Sequence, residues 1–441
     1  MSISNEPYWF RFTPLFVRQR LNGRVTLHAI INNTGWLLGD RALRLGLSLF
    51  VGAWVARYLG PSKYGEFSYV IAYVAFFQTI SELGLNGVVI RDMARDRQAS
   101  AAILGTVFRL RIVTGFICWI AAIASMAIIQ PGDQNTLALT AIISGGLVFQ
   151  TADIVDLWFQ SQTQSRRTVG AKIISYLINS VFKIFLVLAS APLIYFAIAV
   201  LFEIVLSSIA LYFSYRRFST PFAWVWDMKI GKQLLGEAWP YLLSYLAITI
   251  YTRTDQIMLR EMHGTNQLGI FSAAIPISNS WQFIPLIIFQ SASPSIANKK
   301  QYDPNGYDRS IEKLFALMWW IMLPISVSIS IFSGPIVSVL YGEKYMASAS
   351  VLGVLVFTNI PVALGVMQNI WILNERMNKI TLTKTVFGAV ANVGLNFVMI
   401  PKYGALGAAF SSVVAQCISA VFFTIILAPK IFRRQMCSWL I

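Results

Sequence analysis

The sequence predicts an all-α integral membrane protein with about twelve transmembrane helices in two pseudo-symmetric six-helix lobes. Composition is the first observation, because 56% of the 441 residues are hydrophobic, only 12% are charged, and the mean hydropathy is +0.62. A water-soluble globule of this length cannot bury so much apolar surface. The second observation is a series of twelve apolar runs, and the third is an internal repeat.

The repeat is seen most clearly where RYLGPSKYGEFS, residues 57–68, is echoed by HGTNQLGIFS, residues 263–272. Each copy lies between two long apolar runs, so each is interpreted as the tight turn of a helical hairpin. Trp158 and Asn179 recur as Trp371 and Asn392, 213 residues later. Four positions recur 204 residues later: Gly60, Gly65, Phe67 and Ser68 match Gly264, Gly269, Phe271 and Ser272. These matches predict two similar halves.

One membrane crossing needs about 20 residues, and this length divides the apolar runs into predicted crossings. Residues 1–33 are predicted to be a cytoplasmic amphipathic tail, 216–238 a cytoplasmic linker, and 429–441 a second cytoplasmic tail. The N-terminal lobe, 34–215, has its crossings at about 34–58, 66–88, 104–129, 136–159, 170–190 and 192–215. The C-terminal lobe, 239–428, has its crossings at about 240–261, 268–296, 312–340, 347–373, 380–400 and 404–428.

The distribution of basic residues predicts the orientation. Of the 35 lysines and arginines, 24 fall in the segments assigned to the cytoplasm and 5 in those assigned to the outside. This asymmetry is typical of the positive-inside rule, and it places both termini in the cytoplasm. The net charge of +16 therefore reflects helix ends at the inner membrane surface, and nucleic acid is disfavoured as a partner.

No motif for catalysis or for a cofactor is present. The sequence lacks a G-x-x-x-x-G-K-[ST] phosphate loop, a D-x-D metal pair and an H-E-x-x-H motif, and it contains two histidines. An enzyme acting on external substrates usually builds its site in a large external loop, whereas the predicted outside loops are about ten residues or shorter. We therefore expect a protein that is not an enzyme and that uses no cofactor or metal.

Three arginines within the apolar runs are the candidate substrate-binding residues. A charge at the bilayer centre costs about 2.5–3.5 kcal/mol, so such residues usually face a cavity or a partner. Arg44 lies roughly 15 Å into the first crossing, Arg41 is on the same face, and Arg253 is near the middle of the seventh. We expect them to line a central cavity; the alternative is that they extend to lipid headgroups.

Three further charged residues are candidates for an ion pair or for coupling to an ion gradient. Lys183 and Glu203 lie near mid-depth in consecutive crossings, so they form either a structural ion pair or a substrate or proton site. Asp255 is two residues from Arg253, about 200° around the helix, so the two cannot share a face. Asp255 needs another partner, or it titrates.

Several segments in order along the chain resemble a known family. They are RYLGPSKYG, DLWFQSQ from Asp156, IYTRTDQIML from Ile250 followed by GTNQLGIFSAA, LYGEKYMASASVL from Leu340, and IPKYGALGAAFSS from Ile400. The chain resembles, over nearly its whole length, the Wzx-type polysaccharide transporters of the multidrug/oligosaccharidyl-lipid/polysaccharide (MOP) exporter superfamily. One departure is Phe271, where the family more often has tyrosine.

The resemblance implies a flippase that moves undecaprenyl-diphosphate-linked oligosaccharides from the cytoplasmic to the outer leaflet of the bacterial plasma (inner) membrane. The products would feed O-antigen, capsule or exopolysaccharide assembly. Implied partners are membrane lipids, a polysaccharide polymerase, chain-length proteins, and H+ or Na+ as the coupling ion. Alternatives are an ion-coupled drug or cation antiporter of the same fold and a membrane polysaccharide polymerase or ligase. Buried arginines favour the flippase, because a diphosphate needs a wet cationic path through hydrocarbon.

Overall fold

The computed structural model describes residues 25–217, 224–375, 377–422, 424–425 and 429–437. Side chains at 25–34, 37–38, 41–42, 378–379 and 437 lie outside this description, as do the first 24 residues of the predicted tail. Every regular element of the described residues is helical. The predicted all-α membrane fold is therefore confirmed.

The described part of the first half contains seven α-helices, in which a 3-10 turn at Gln150–Asp153 separates α4 from α5. Their bounds are α1 Val25–Ser81, α2 Asn86–Arg95, α3 Ser100–Ile129, α4 Gln134–Phe149, α5 Ile154–Ser161, α6 Arg166–Leu188 and α7 Leu193–Arg217. The second half contains α8 Met228–Asn279, α9 Phe283–Tyr302, α10 Pro304–Ile331, α11 Ser333–Tyr341, α12 Ala347–Leu355, α13 Asn359–Asn374, α14 Asn378–Cys417 and α15 Pro429–Cys437. The helices α1 and α8 begin within the predicted tail and linker, and the predicted domain boundaries stay predictions.

Nine helical segments of the described chain are long and apolar enough to cross a membrane. Three of them, Leu43–Arg95, Met228–Tyr302 and Ile380–Phe422, have 53, 75 and 43 residues, which exceeds the length of one crossing. Each is divided by a glycine with non-helical backbone angles, namely Gly60, Gly264 or Gly404. The protein is therefore a multi-pass membrane protein. Division at these glycines is compatible with twelve crossings, a count that stays a prediction.

Residues that the repeat matches occupy equivalent environments. Gly60 has φ 72° and ψ 167°, and Gly264 has φ 81° and ψ 178°. Both are in a region that only glycine adopts without strain. The repeated tryptophans, Trp158 and Trp371, are both buried, and so are the repeated asparagines, Asn179 and Asn392. Two pseudo-symmetric lobes account for this agreement.

The two halves meet along an antiparallel pair of crossings, formed by the part of α1 after Gly60 and the first part of α8. The hydroxyls of Thr79 and Thr249 lie 2.8 Å apart, and the Tyr69 hydroxyl donates to Glu261 at 2.9 Å. Beyond the end of α1, Arg91 of α2 places its Nη2 2.5 Å from Glu237 Oε2 near the start of α8. This interface therefore holds the lobes together from Tyr69 at one end to Arg91 at the other.

Two repeat-related glycines pack against the opposite half near the predicted outer surface. A Cβ atom at Gly65 would lie 1.8 Å from the Thr265 carbonyl oxygen, and one at Gly269 would lie 1.8 Å from the Pro61 carbonyl oxygen. The contact is thus reciprocal across the pseudo-symmetry axis. Only glycine permits such a close approach of two backbones.

Polar contacts close the same end of the molecule. The Tyr345 hydroxyl donates to the Ala56 carbonyl at 2.8 Å, and Arg260 Nη2 lies 3.8 Å from Asp133 Oδ2. Burial raises the pKa of Asp133, but hydrogen bonds from Thr136 and the charge of Arg260 outweigh this effect and lower it. Asp133 is therefore ionised at neutral pH and can hold Arg260 of the other half.

Candidate functional site

Arg44 lies in a network confined to the first half. Its Nε donates to Asp40 Oδ1 at 2.8 Å, and its Nη1 lies 3.8 Å from Glu203 Oε1. The guanidinium carbon is 4.9 Å from the centre of the Tyr176 ring. The side chain remains 29% exposed, so it is paired but still accessible.

Glu203 connects Arg44 to Lys183. Lys183 Nζ lies 3.7 Å from Glu203 Oε2, and Asn179 Nδ2 donates to the same oxygen at 2.6 Å. The structure thus brings the two predicted partners together. With Asp40 and Arg44 included, two acidic side chains face two basic ones, so their formal charges balance.

Arg253 and Arg41 differ from Arg44. The side chain of Arg41 lies outside the described part of the chain. Arg253 is half-buried on α8 and forms no ion pair with any carboxylate among the residues that the structure describes. The guanidinium of Arg253 therefore has no acid of the described chain in contact with it, and the carboxylate near enough to act on its charge is that of Asp255.

Asp255 is buried, with 6% of its surface exposed, and its partners are not cations. Its Oδ1 accepts from the backbone N–H of Gln256 at 2.8 Å, and its Oδ2 accepts from the Ser412 hydroxyl at 3.2 Å. Asp255 and Arg253 do not pair, as their positions on α8 predicted. The other partner that the sequence required is Ser412, on α14.

Sequence reasoning missed a polar cavity of about 190 Å³ in the first half. Lys172 lies there with its Nζ 2.9 Å from both Asp153 Oδ1 and Asp156 Oδ2. Arg111 also lines the cavity, and its Nη2 donates to Asn86 Oδ1 at 2.5 Å. The i, i+3 spacing of the aspartates was the signal, but the position of Lys172 depends on how α6 packs.

A second cavity that sequence reasoning missed lies within the second half and has a volume of about 430 Å³. Its wall combines α8, α13 and α14, and it includes Asp255 and Lys384. Lys384 is 7% exposed, and its Nζ donates to Gln368 Oε1 at 3.2 Å. No group of three or more histidine, cysteine, aspartate or glutamate residues in the described chain is arranged to hold a metal ion.

Known proteins resemble this chain in sequence and in fold. Among curated proteins, the chain is 24% identical over 400 residues to a Shigella flexneri protein described as an O-antigen transporter, covering 87% of this chain and 94% of that protein. It is also 24% identical over 303 residues to the teichuronic acid biosynthesis protein TuaB of Bacillus subtilis, covering 65% of this chain and 59% of that protein. The named activity of the first relative is transport.

Solved structures share the fold. An inward-facing multidrug resistance MATE transporter of the MOP superfamily superposes with a TM-score of 0.72 at 16% identity, covering 89% of this chain and 95% of that one. The lipid II flippase MurJ in an inward closed conformation superposes with a TM-score of 0.71 at 14% identity, covering 93% and 91%.

Two sequence families match parts of the chain. The family described as "Lipid II flippase MurJ" matches residues 283–439, and the family described as "Polysaccharide biosynthesis protein" matches residues 54–350. The resemblance to polysaccharide transporters is thereby confirmed, and solved structures of the MOP superfamily share the fold. Because the second of these matches spans more than half of the chain, this protein belongs to the polysaccharide biosynthesis protein family.

Proposed function

We propose that this protein is a flippase that carries undecaprenyl-diphosphate-linked oligosaccharides from the cytoplasmic to the outer leaflet of the bacterial plasma membrane. The guanidinium of Arg253, half-buried in the seventh predicted crossing and without a contact ion pair among the described residues, is the observation that carries the proposal. A charge held there without a carboxylate is unfavourable unless a ligand or water compensates it. A diphosphate that crosses the membrane is such a ligand.

Arg253 would bind the diphosphate, with Arg44 and Arg41 assisting from the first half. Guanidinium groups grip two phosphate oxygens at once, and partial desolvation strengthens these charge-assisted bonds. To turn toward a substrate, Arg44 would leave Asp40 and Glu203, and Lys183 would remain beside Glu203. The polyprenyl tail would stay in the lipid while the headgroup follows this path.

Coupling to an ion gradient would use Asp255, with H+ or Na+ as the ion. Asp255 is buried, its hydrogen bonds come from Gln256 and Ser412, and Arg253 acts on it without an ion-pair contact, so a proton or a sodium ion could compensate its charge. The Lys183–Glu203 pair is a second coupling candidate. In this proposal both termini are cytoplasmic, and a polysaccharide polymerase and chain-length proteins receive the product at the outer face.

The antiporter alternative has less support from the charges. A pump for cationic drugs is expected to have an acid-dominated cavity, whereas Asp40, Arg44, Lys183 and Glu203 balance one another. Enzymatic function also has little support, because the similar proteins with a named activity are an O-antigen transporter and, among solved structures, a multidrug transporter and a lipid II flippase.

Deletion of the gene tests the proposed function. We expect the lipid-linked oligosaccharide to accumulate in the inner leaflet, because it is still made there but not exported. Mass spectrometry of extracted lipids would identify the accumulated species, and protection from an added membrane-impermeant glycosidase would locate its leaflet. Expression of the wild-type chain should reverse the accumulation. Unchanged lipid-linked intermediates in the deletion strain would contradict the proposal.

A further inference from the structure

The lining of the second-half cavity combines apolar side chains with many neutral polar ones and has few charges. Its wall contains five carboxamide side chains and six serine or threonine side chains, and its two charged residues are Asp255 and Lys384. Carboxamides and hydroxyls offer both donors and acceptors, which suits a ligand rich in hydroxyl groups.

Polar atoms at this cavity lack partners. The Tyr251 hydroxyl, Asn369 Oδ1 and Asn392 Nδ2 are buried and accept or donate no hydrogen bond within the described chain. Buried polar groups are nearly always hydrogen-bonded, so three such atoms around one cavity are unusual. A bound polar molecule would restore hydrogen bonding in this region, directly or through small side-chain shifts.

Comparison of the two halves identifies what changed at this cavity. The 213-residue repeat places Asp153, Asp156 and Lys172 opposite Val366, Asn369 and Thr385, and Lys384 immediately precedes Thr385. The first half thus has a lysine held by two aspartates, each 2.9 Å away. In the second half, a lysine lies one residue before the position equivalent to Lys172, and valine and asparagine replace the two aspartates. Both Val366 and Asn369 line the cavity.

Lys384 consequently has no carboxylate partner in the described chain. Its side-chain hydrogen bond goes to the Gln368 carboxamide, 3.2 Å away, which is polar but neutral. Gln368 is itself held by the Gln435 side chain at 2.8 Å, so the amide is fixed and cannot be replaced by an acid without rearrangement. A buried ammonium without an opposite charge is unfavourable. An anion that enters the cavity would compensate it.

We propose that this cavity is a subsite for the cargo, in which Lys384 pairs with an anionic group while the surrounding amides and hydroxyls bind sugar hydroxyls. The proposal rests on the proposed flippase function. Two parts of a lipid-linked sugar can supply the anion: the carboxylate of an acidic sugar or the diphosphate of the carrier. The neutral hydrogen-bonding wall favours the acidic sugar.

The test uses the full-length protein in nanodiscs of zwitterionic lipid. Dissociation constants would be measured for undecaprenyl diphosphate alone, for the same lipid carrying one neutral hexose, and for the lipid carrying one hexuronic acid. The variants are Lys384→Met, Lys384→Arg and, as a matched control, Lys172→Met. For Lys384→Met we expect about tenfold or more weaker binding of the hexuronic acid lipid, because a charge-assisted bond is lost. Lys384→Arg should retain most of the affinity.

Thermal unfolding separates a ligand role from a structural one. Lys384→Met removes an uncompensated buried charge, so its Tm should equal or exceed that of the wild type. Lys172→Met leaves two aspartates unpaired, so its Tm should fall while its affinities for the three lipids stay unchanged. A lower Tm for Lys384→Met with unchanged affinities would assign Lys384 a structural role and overturn the proposal.

The three lipids also distinguish the sources of the anion. Weaker binding of the hexuronic acid lipid alone assigns the sugar carboxylate to Lys384, and equally weaker binding of all three assigns the diphosphate. Unchanged binding of all three overturns the subsite but leaves the flippase function intact. Failure of the wild-type protein to bind any of the lipids would contradict the flippase function and, with it, the subsite.

Discussion

Arg44 and Arg253 have similar positions in their crossings but different electrostatic surroundings. Arg44 contacts Asp40 and Glu203, whereas Arg253 pairs with no acid in the described chain. Loss of Arg44 leaves carboxylates partly unpaired, and loss of Arg253 leaves none. The two residues should therefore affect stability and export differently.

We predict that Arg253→Ala strongly lowers export at normal protein level, because it removes a charge available to the diphosphate without breaking a contact ion pair. Arg44→Ala should lower export and also reduce stability by about 1–3 kcal/mol, the typical penalty for an unsatisfied buried group. Export would be measured as labelled polysaccharide at the cell surface, and stability as Tm of the purified protein.

Lysine substitutions provide the control for this pair. Arg253→Lys should keep part of the export, because an ammonium carries the charge but cannot bind two oxygens in the planar geometry of guanidinium. Normal export by Arg253→Ala would contradict a role in binding the diphosphate. Equal loss of Tm in the two alanine variants would contradict the difference in pairing.

At this scale, the sequence predicted the pairing of Lys183 with Glu203 as one alternative but not the rest of the network. The depths of Arg44, Lys183, Glu203 and Arg253, inferred from their positions in apolar runs, stay predictions. The Asp40 partner of Arg44 was readable in principle, since the two are four residues apart on one helix. Glu203 as a partner of Arg44 was not, because it depends on how α1 and α7 pack.

At the scale of helices, the glycine turns bring the two halves into contact. Gly65 and Gly269 bring the backbones of the two halves into contact near the predicted outer surface, and Ser62 and Thr265 place their hydroxyl oxygens 3.0 Å apart beside them. These turns were predicted from the repeat. Their contact with each other was not, because the order of crossings along the chain does not specify which turns meet.

We predict that Gly269→Ala separates the halves at this end, because the new Cβ would overlap the Pro61 carbonyl oxygen, 1.8 Å away. A cysteine pair at Ser62 and Thr265 reports the separation. Oxidative cross-linking of the pair should be efficient in the parent chain and weak in the Gly269→Ala background, and export should fall in parallel.

Gly52→Ala is the matched control, since Gly52 is also helical but a Cβ there would meet no atom within 4 Å. It should cross-link and export like the parent chain. Equal cross-linking in the Gly269→Ala and Gly52→Ala backgrounds would show that the close backbone contact is not required for the halves to meet.

For the whole molecule, composition and charge predicted the membrane class, the repeat predicted two lobes, and both agree with the fold. The two polar cavities were not predicted, because each collects side chains from several crossings that are distant in sequence. Lys384 illustrates the difficulty. Its charge suggested only an inner helix end, and its burial beside Gln368 depends on the packing of α13 against α14.

Orientation in the membrane is the property of the whole molecule on which the direction of transport depends. The predicted orientation places 24 basic residues in the cytoplasm and 5 outside, as the positive-inside rule favours, and a reversed molecule would place most of them outside. We predict that single cysteines at Gln134 or Lys344, in a chain without Cys118, Cys417 and Cys437, react with an impermeant thiol reagent added to intact cells. Cysteines at Arg97 or Asn305 should react only after permeabilisation. All four positions are exposed, so lack of reaction reports sidedness rather than burial. The reverse pattern would invert the topology and, with it, the direction in which Arg253 could pass a diphosphate.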